Sequence, residues 1–228
     1  MILDRKTICL QLPLRINQVN CFLLRTEEGS VLIDSGCSKN RAELVNEIER
    51  AGCRPGTLRL VILTHGDFDH AGGAGYVRDR FASKIAMHPD DVGMVEHGDM
   101  FWNRGEGNVV VKTFAPVLFR FGRSQRFTPD VLIDDGDALS GFGTDMMVIH
   151  LPGHSKGSIG LLTAGGELFC GDLLINEKRP ALNYRIADLA AAKASVEKLR
   201  RLGVRRVIPS HGKEFEMNDF LIDYDRPG

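Results

Sequence analysis

The chain has no CxxC pair, no apolar run of membrane-spanning length, one tryptophan in 228 residues, and almost no net charge. Each absence excludes something. The five cysteines (Cys9, Cys21, Cys37, Cys53, Cys170) are odd in number and dispersed, which argues against a disulfide framework or a cysteine zinc site. Buried free thiols in a cytoplasmic protein are expected instead. Without a long apolar run there is no membrane helix, and the first twenty residues, with scattered charges, do not read as a secretory signal. A formal charge of −1 offers neither an extended nucleic-acid surface nor a polybasic membrane patch. Hydrophobic residues at 43% and charged residues at 26% are ordinary for a soluble globular protein. No linker is evident, so residues 1–228 read as one domain.

What is present begins with a repeat. NCFLLRTEEGSVLID (20–34) and SIGLLTAGGELFCGD (158–172) have equal length, carry Leu-Leu at the same offset, turn at glycine and end on Asp. Each reads as a β-hairpin. Helical segments follow at 39–52 and 187–203, with Leu44, Val45 and Ile48 in the first and Leu189, Val196, Leu199 and Leu202 in the second at three- and four-residue spacing. Then come the strands LRLVILTH (58–65) and VRRVIPSH (204–211), both ending in His. Two hairpin, helix and strand units, each delivering an Asp and a His at strand ends, predict an α/β fold of two facing sheets with helices outside, a four-layer αββα sandwich. A ligand site at the seam between the halves follows.

The richest chemistry lies in LTHGDFDHAGGAG (63–75). Leu58, Leu60, Val61, Ile62 and Leu63 lead into His65, Asp67, Asp69 and His70, and glycines at 72, 73 and 75 permit close backbone approach. A polar surface loop is a poor explanation for two His and two Asp in six residues after an apolar strand. His154 in LPGHSKGSIG, Asp172 in GD and His211 in SHG are each weak signals alone. Together they make seven His/Asp side chains at positions the repeat brings together, too many for one metal and suited to two.

In this order the residues resemble the metallo-β-lactamase-fold hydrolase superfamily, whose pattern is HxHxDH, then His, Asp and His. The resemblance implies that His65 and His154, with the residue at 67, hold one metal. It implies that Asp69, His70 and His211 hold the other, that Asp172 bridges them, and that Asp69 also orients the nucleophile. Asp34 in LIDSG matches a family position beside the metals, and serves equally as a strand-end turn residue. The departure is Asp67, where the family usually has His. A carboxylate there makes the metals weaker Lewis acids and shifts preference from zinc, the first choice, toward iron or manganese. An Asp67 that does not ligate leaves the first site weak or empty.

The expected activity is hydrolysis of an ester, thioester, lactone or related small molecule by a metal-bridged hydroxide. Two other readings stay open: a non-haem iron oxidoreductase working on oxygen or a persulfide, and a metal-binding domain with weakened catalysis. The bridging Asp172 argues against antibiotic hydrolysis. Ile175 stands where acyl-homoserine lactonases carry Tyr, and only 17 residues follow His211, where the glyoxalase II type adds a helical domain. Segment 93–130 concentrates the Trp with Met and Phe and suits a lid or pocket wall; a homodimer contact explains it as well. His97, Phe101, Trp102 and Tyr184 are the substrate-pocket candidates.

Overall fold

Alternation along the strands decides the layers, because successive side chains in a strand point to opposite faces. The structure, a computed structural model, describes residues 7–14, 18–102, 104 and 125–226. One sheet runs β1 (Thr7–Pro13), β2 (Gln18–Thr26), β3 (Gly29–Ile33), β4 (Leu58–Ile62), β5 (Lys84–Met87) and β6 (Val131–Leu132) in spatial order. The other runs β7 (Met147–His150), β8 (Ile159–Leu162), β9 (Glu167–Phe169), β12 (Arg206–Ile208) and β13 (Phe215–Glu216). A short hairpin of β10 (Leu174–Ile175) and β11 (Ala181–Leu182) lies apart from both.

Val31, Ile33, Leu60 and Ile62 of the first sheet pack with Val148, Ile159, Leu161, Phe169 and Ile208 of the second, forming the inter-sheet core. Their neighbours Leu32, Val61 and Ile85 face the other way, against Leu44, Val45 and Ile48 of α1 (Arg41–Arg50) and Val77 and Phe81 of α3 (Ala74–Phe81). On the far side Leu168 and Val207 meet Ala192, Val196 and Leu199 of α5 (Leu189–Arg201) and Phe220 of α6 (Met217–Tyr224). The order helix, sheet, sheet, helix is the αββα sandwich. Each fully buried Leu or Ile contributes about 1.5–3 kcal/mol.

The repeat is visible in the pairing. β1–β2 and β7–β8 are antiparallel, as are β2–β3 and β8–β9, while β3–β4 and β9–β12 are parallel. The halves diverge one strand later, where β4–β5 is parallel and β12–β13 antiparallel. Two details depart from the sequence expectation. Leu189 and Leu202 are exposed, because 189 opens α5 and 202 caps its end; the buried stripe is Ala192, Ser195, Val196 and Leu199. Asp188 caps the helix by accepting the Ala191 N–H at 3.0 Å.

Candidate metal centre

The chain leaves β4 at Ile62, and the ligand-rich loop does not continue as a strand. Asp67 is extended (φ −69°, ψ 151°) and caps a four-residue helix, α2 (Phe68–Ala71), which carries Asp69 and His70. That bend is held from behind: the Ser35 N–H and hydroxyl both donate to the His70 carbonyl at 2.7 Å. A Cβ on Gly73 would stand 2.4 Å from the Ser35 carbonyl, so the close approach requires glycine. Gly75 differs from expectation, since a Cβ there meets only Phe127, at an ordinary 3.6 Å.

The seven residues expected to supply ligands are all buried and converge from the ends of β4, β7, β9 and β12. Donor atoms of His65, His154 and Asp172 lie within 4.8 Å of one another, as do those of Asp69, His70 and His211. Asp172 faces both groups: Oδ2 is 3.8 Å from His154 Nε2, and Oδ1 is 3.4 Å from His70 Nε2 and 3.5 Å from His211 Nε2. Asp69 Oδ2 lies 3.6 Å from His211 Nε2. Asp67 Oδ2 is 3.1 Å from His154 Nε2 and 3.7 Å from His65 Nε2.

Whether metal fits here is tested by the buried atoms that nothing else satisfies. Among the described residues His65 Nε2, Asp69 Oδ2, His70 Nε2, Asp172 Oδ1 and His211 Nε2 have no hydrogen-bond partner. Leaving a buried polar atom unpaired costs about 1–3 kcal/mol, so this concentration at one point fits a centre built for cations. Three of the imidazoles are set for it by their other nitrogen. His70 Nδ1 is 2.8 Å from Asp34 Oδ2, His211 Nδ1 is 2.8 Å from the Gln18 carbonyl, and His65 Nδ1 is 3.0 Å from the Thr64 hydroxyl. With Nδ1 donating in each, Nε2 presents its lone pair to the centre.

Asp34 therefore supports the centre from behind. It has the left-handed φ of +58°, and its carboxylate also accepts the Thr64 N–H at 2.9 Å and the Thr64 hydroxyl at 2.9 Å. Three supporting residues were not singled out from sequence. Asp91, fully buried, accepts from the Gly66 N–H (3.1 Å), the Ser155 hydroxyl (2.6 Å) and the Gly157 N–H (2.8 Å), tying the His65–Asp67 loop to the His154 loop. Asn183 donates to Asp172 Oδ2 at 3.2 Å. Arg104 reaches Asp67 Oδ1 at 2.7 Å.

The electrostatics follow from crowding buried charges. Burial pushes the Asp67 carboxyl up, but Arg104, His154 and His65 outweigh it and hold the group well below the usual carboxylate range. Asp172 behaves likewise, with burial overcome by His211, His70 and His154. Burial disfavours the His70 cation, yet Asp172, Asp34 and Asp69 push its pKa up to about 10. A metal held at Nε2 would take the place of that proton.

The pocket candidates sit outside this inner set. His97, at the end of α4 (Val92–His97), stacks on Trp102 with centroids 3.8 Å apart; Trp102 is exposed and Phe101 half-buried. Trp102 precedes Arg104 by two residues, which puts this stretch beside the centre. Tyr184 is exposed, under the Arg185 guanidinium, and follows the Asn183 that contacts Asp172. Residues 103 and 105–124 of the expected lid lie outside the described residues. A separate group, His88, Asp90 and His150, is poorly arranged for an ion, because the two imidazoles stack 8° from parallel and their planes cannot share one metal.

Comparison with known proteins identifies the family. The family model described as the Metallo-beta-lactamase superfamily matches residues 14–211. The chain belongs to the metallo-beta-lactamase superfamily. Among its relatives, the human acyl-coenzyme A thioesterase MBLAC2 is 31% identical over 218 residues, covering 87% of this chain and 75% of that protein. The hydroxyacylglutathione hydrolase GloC of Haemophilus influenzae is 28% identical over 169 residues, covering 72% and 70%. A crystal structure of TTHA1623 in a di-iron-bound form matches with a TM-score of 0.69 at 26% identity, covering 92% of this chain and 95% of that one. As a member of the superfamily, the chain is a metal-dependent hydrolase.

Proposed function

We propose that this hydrolase cleaves a small thioester. In this reading two divalent metal ions are held by His65, Asp67 and His154 on one side and by Asp69, His70 and His211 on the other, with Asp172 between them. The observation that carries the substrate class is the 31% identity to an acyl-coenzyme A thioesterase over 87% of the chain. GloC, a hydroxyacylglutathione hydrolase by name, points the same way. Zinc is the first candidate. Iron is the second, favoured by the di-iron form of a structure 26% identical to this chain.

Metal ions bound there supply a Lewis acid for the acyl oxygen and acidify a water molecule. The chain supplies position and proton acceptance. Asp69, with Oδ2 facing His211, orients the attacking water and takes its proton as the oxygen bonds to the acyl carbon. The carbon–sulfur bond then breaks, leaving a carboxylic acid and a thiolate, and the thiolate needs little help from an acid because its own pKa is low. Asp172 fixes the spacing of the two donor groups, and Asn183 fixes Asp172. Asp34 and Asp91 keep the loops from relaxing inward when the centre is charged.

The test is thiol release from acyl-coenzyme A and acyl-glutathione series, read with a thiol dye, alongside p-nitrophenyl esters and lactones. Burial pushes the Cys9, Cys37 and Cys170 thiols up to about 12, and a substrate-free blank corrects for dye taken up by the protein itself. Preference for either thioester series by at least tenfold in kcat/KM is expected; equal or better turnover of oxygen esters or lactones overturns the substrate class.

A further inference from the structure

An aspartate at position 67 raises a charge problem that the structure answers 37 residues away. In the family pattern the ligand shell of such a centre holds two carboxylates, the counterparts of Asp69 and Asp172, and the remaining ligands are neutral imidazoles. Asp67 adds a third negative charge. Asp34 and Asp91, both fully buried, stand just behind the same loops. A cation in direct contact with Asp67 changes that sum. Arg104 places Nη2 at 2.7 Å from Asp67 Oδ1, with its side chain only 12% exposed and the Asp67 side chain 5% exposed.

The two oxygens of Asp67 divide their work. Oδ1 meets the guanidinium, and Oδ2 points between His154 Nε2 at 3.1 Å and His65 Nε2 at 3.7 Å. One carboxylate thus spans from the arginine to the donor group, so Arg104 and a metal need not compete for the same oxygen. We propose that Arg104 is the counter-charge that allows a carboxylate to serve at position 67, so that the Asp67–Arg104 pair carries the net charge of a neutral imidazole. Three carboxylates and one guanidinium sum to −2, the charge of the two-carboxylate shell. Arg104 is then a positioning residue, because it orients the ligand oxygen and offsets its charge without touching the reacting atoms. Replacing His by Asp without an arginine in reach leaves the metals weaker Lewis acids; replacing Asp67 by His while Arg104 stays leaves a buried cation facing a dication.

This inference rests on the reading that Asp67 is a metal ligand, and the experiment separates the two. Zinc affinity of the metal-free full chain is measured by competition with a chromophoric chelator for the wild type, Asp67→His, Arg104→Gln, the Asp67→His/Arg104→Gln double variant and Asp67→His/Arg104→Lys. Unfolding temperatures of the metal-free chains check folding, and the double variant is charge-balanced, so it keeps the test open if Asp67→His alone is unstable. The expected result is that Asp67→His weakens binding of the first zinc at least tenfold and that adding Arg104→Gln recovers at least tenfold, whereas Arg104→Lys, which keeps the charge, recovers none. Equal affinity of the Gln and Lys double variants overturns the inference. By the same charge count Arg104→Gln alone should tighten zinc binding, and unchanged or weaker binding in that variant also overturns the inference. If Asp67→Asn binds both zinc ions with wild-type affinity, Asp67 is not a ligand and the reading of the first site fails beneath the inference.

Discussion

Asp34→Asn probes how the fold prepares a ligand without touching it. The wild-type carboxylate accepts the Thr64 N–H at Oδ1 and His70 Nδ1 at Oδ2, with the Ser210 hydroxyl at 3.3 Å from Oδ2 as well. Asparagine keeps the shape and tolerates φ +58°, so backbone strain stays constant. Its amide has one acceptor for two donors. The Thr64 N–H belongs to the backbone and cannot turn, so the oxygen stays with it and the new NH2 faces His70. His70 can meet an NH2 only by accepting at Nδ1, which moves its proton to Nε2, the atom facing Asp172. A charge-assisted hydrogen bond of about 1.5–3 kcal/mol is lost, and a metal at Nε2 would leave the Nδ1 N–H facing an NH2 with nothing to accept it. Affinity at the Asp69–His70–His211 side should fall about 10–100-fold, with a smaller effect at the His65–His154 side. Stepwise zinc competition measures both, and nitrogen NMR of the metal-free chain reports which ring nitrogen of His70 carries its proton. Wild-type affinity at both steps, or a metal-free variant whose His70 keeps its Nδ1 proton, counts against this role for Asp34.

Asp91→Asn meets a similar conflict, because both oxygens accept backbone N–H groups (Gly66 and Gly157); it should cost about 2–4 kcal/mol in denaturant unfolding and weaken the His65–His154 side first, while Ser155→Ala, which spares both backbone bonds, costs about 1 kcal/mol. Asp172→Ala removes the carboxylate that faces both donor groups and should abolish turnover together with binding of the second metal, as read by elemental analysis; retained turnover counts against a dinuclear centre. For the metal-free chain, the raised His70 pKa stabilises fully below its ordinary value of about 6.5 and that contribution is lost as pH rises through about 10. The depressed Asp34, Asp67 and Asp172 stabilise above about pH 4 and lose that contribution in acid. The depressed His154, held down by burial, disfavours the fold as pH drops below about 6.5, so metal-free unfolding temperature should peak near about pH 6.5; a rise from about pH 6.5 to 9 contradicts the assignment.

The features that sequence revealed are those with local causes. Strand alternation placed Leu32 and Val31 on opposite faces of β3, and the matched hairpins 20–34 and 158–172 brought Asp34 and Asp172 to equivalent strand ends. The repeat could not tell those two apart: Asp172 turns into the centre, whereas Asp34 turns back to His70 and Thr64, a difference made by the residues each meets. Asp91 was missed because His-Pro-Asp-Asp reads as a surface turn, and its three partners lie 25 to 66 residues away across two loops. Arg104 was one basic residue among several in a segment whose course periodicity does not give. Asn183 belongs to a two-residue-strand hairpin too short to carry a pattern. Leu189 and Leu202 had the right spacing but fell at the helix ends, where the buried stripe stops.

If this chain is a metal-dependent thioesterase, its activity must leave and return with the metal. The protein is stripped with chelator, reloaded with counted equivalents of zinc or iron, and assayed at each step for thiol release from an acyl-coenzyme A and an acyl-glutathione. No turnover is expected without metal, and activity should rise to a plateau at two ions per chain. Full activity after stripping, or no thioester cleavage with two ions bound, would contradict that expectation.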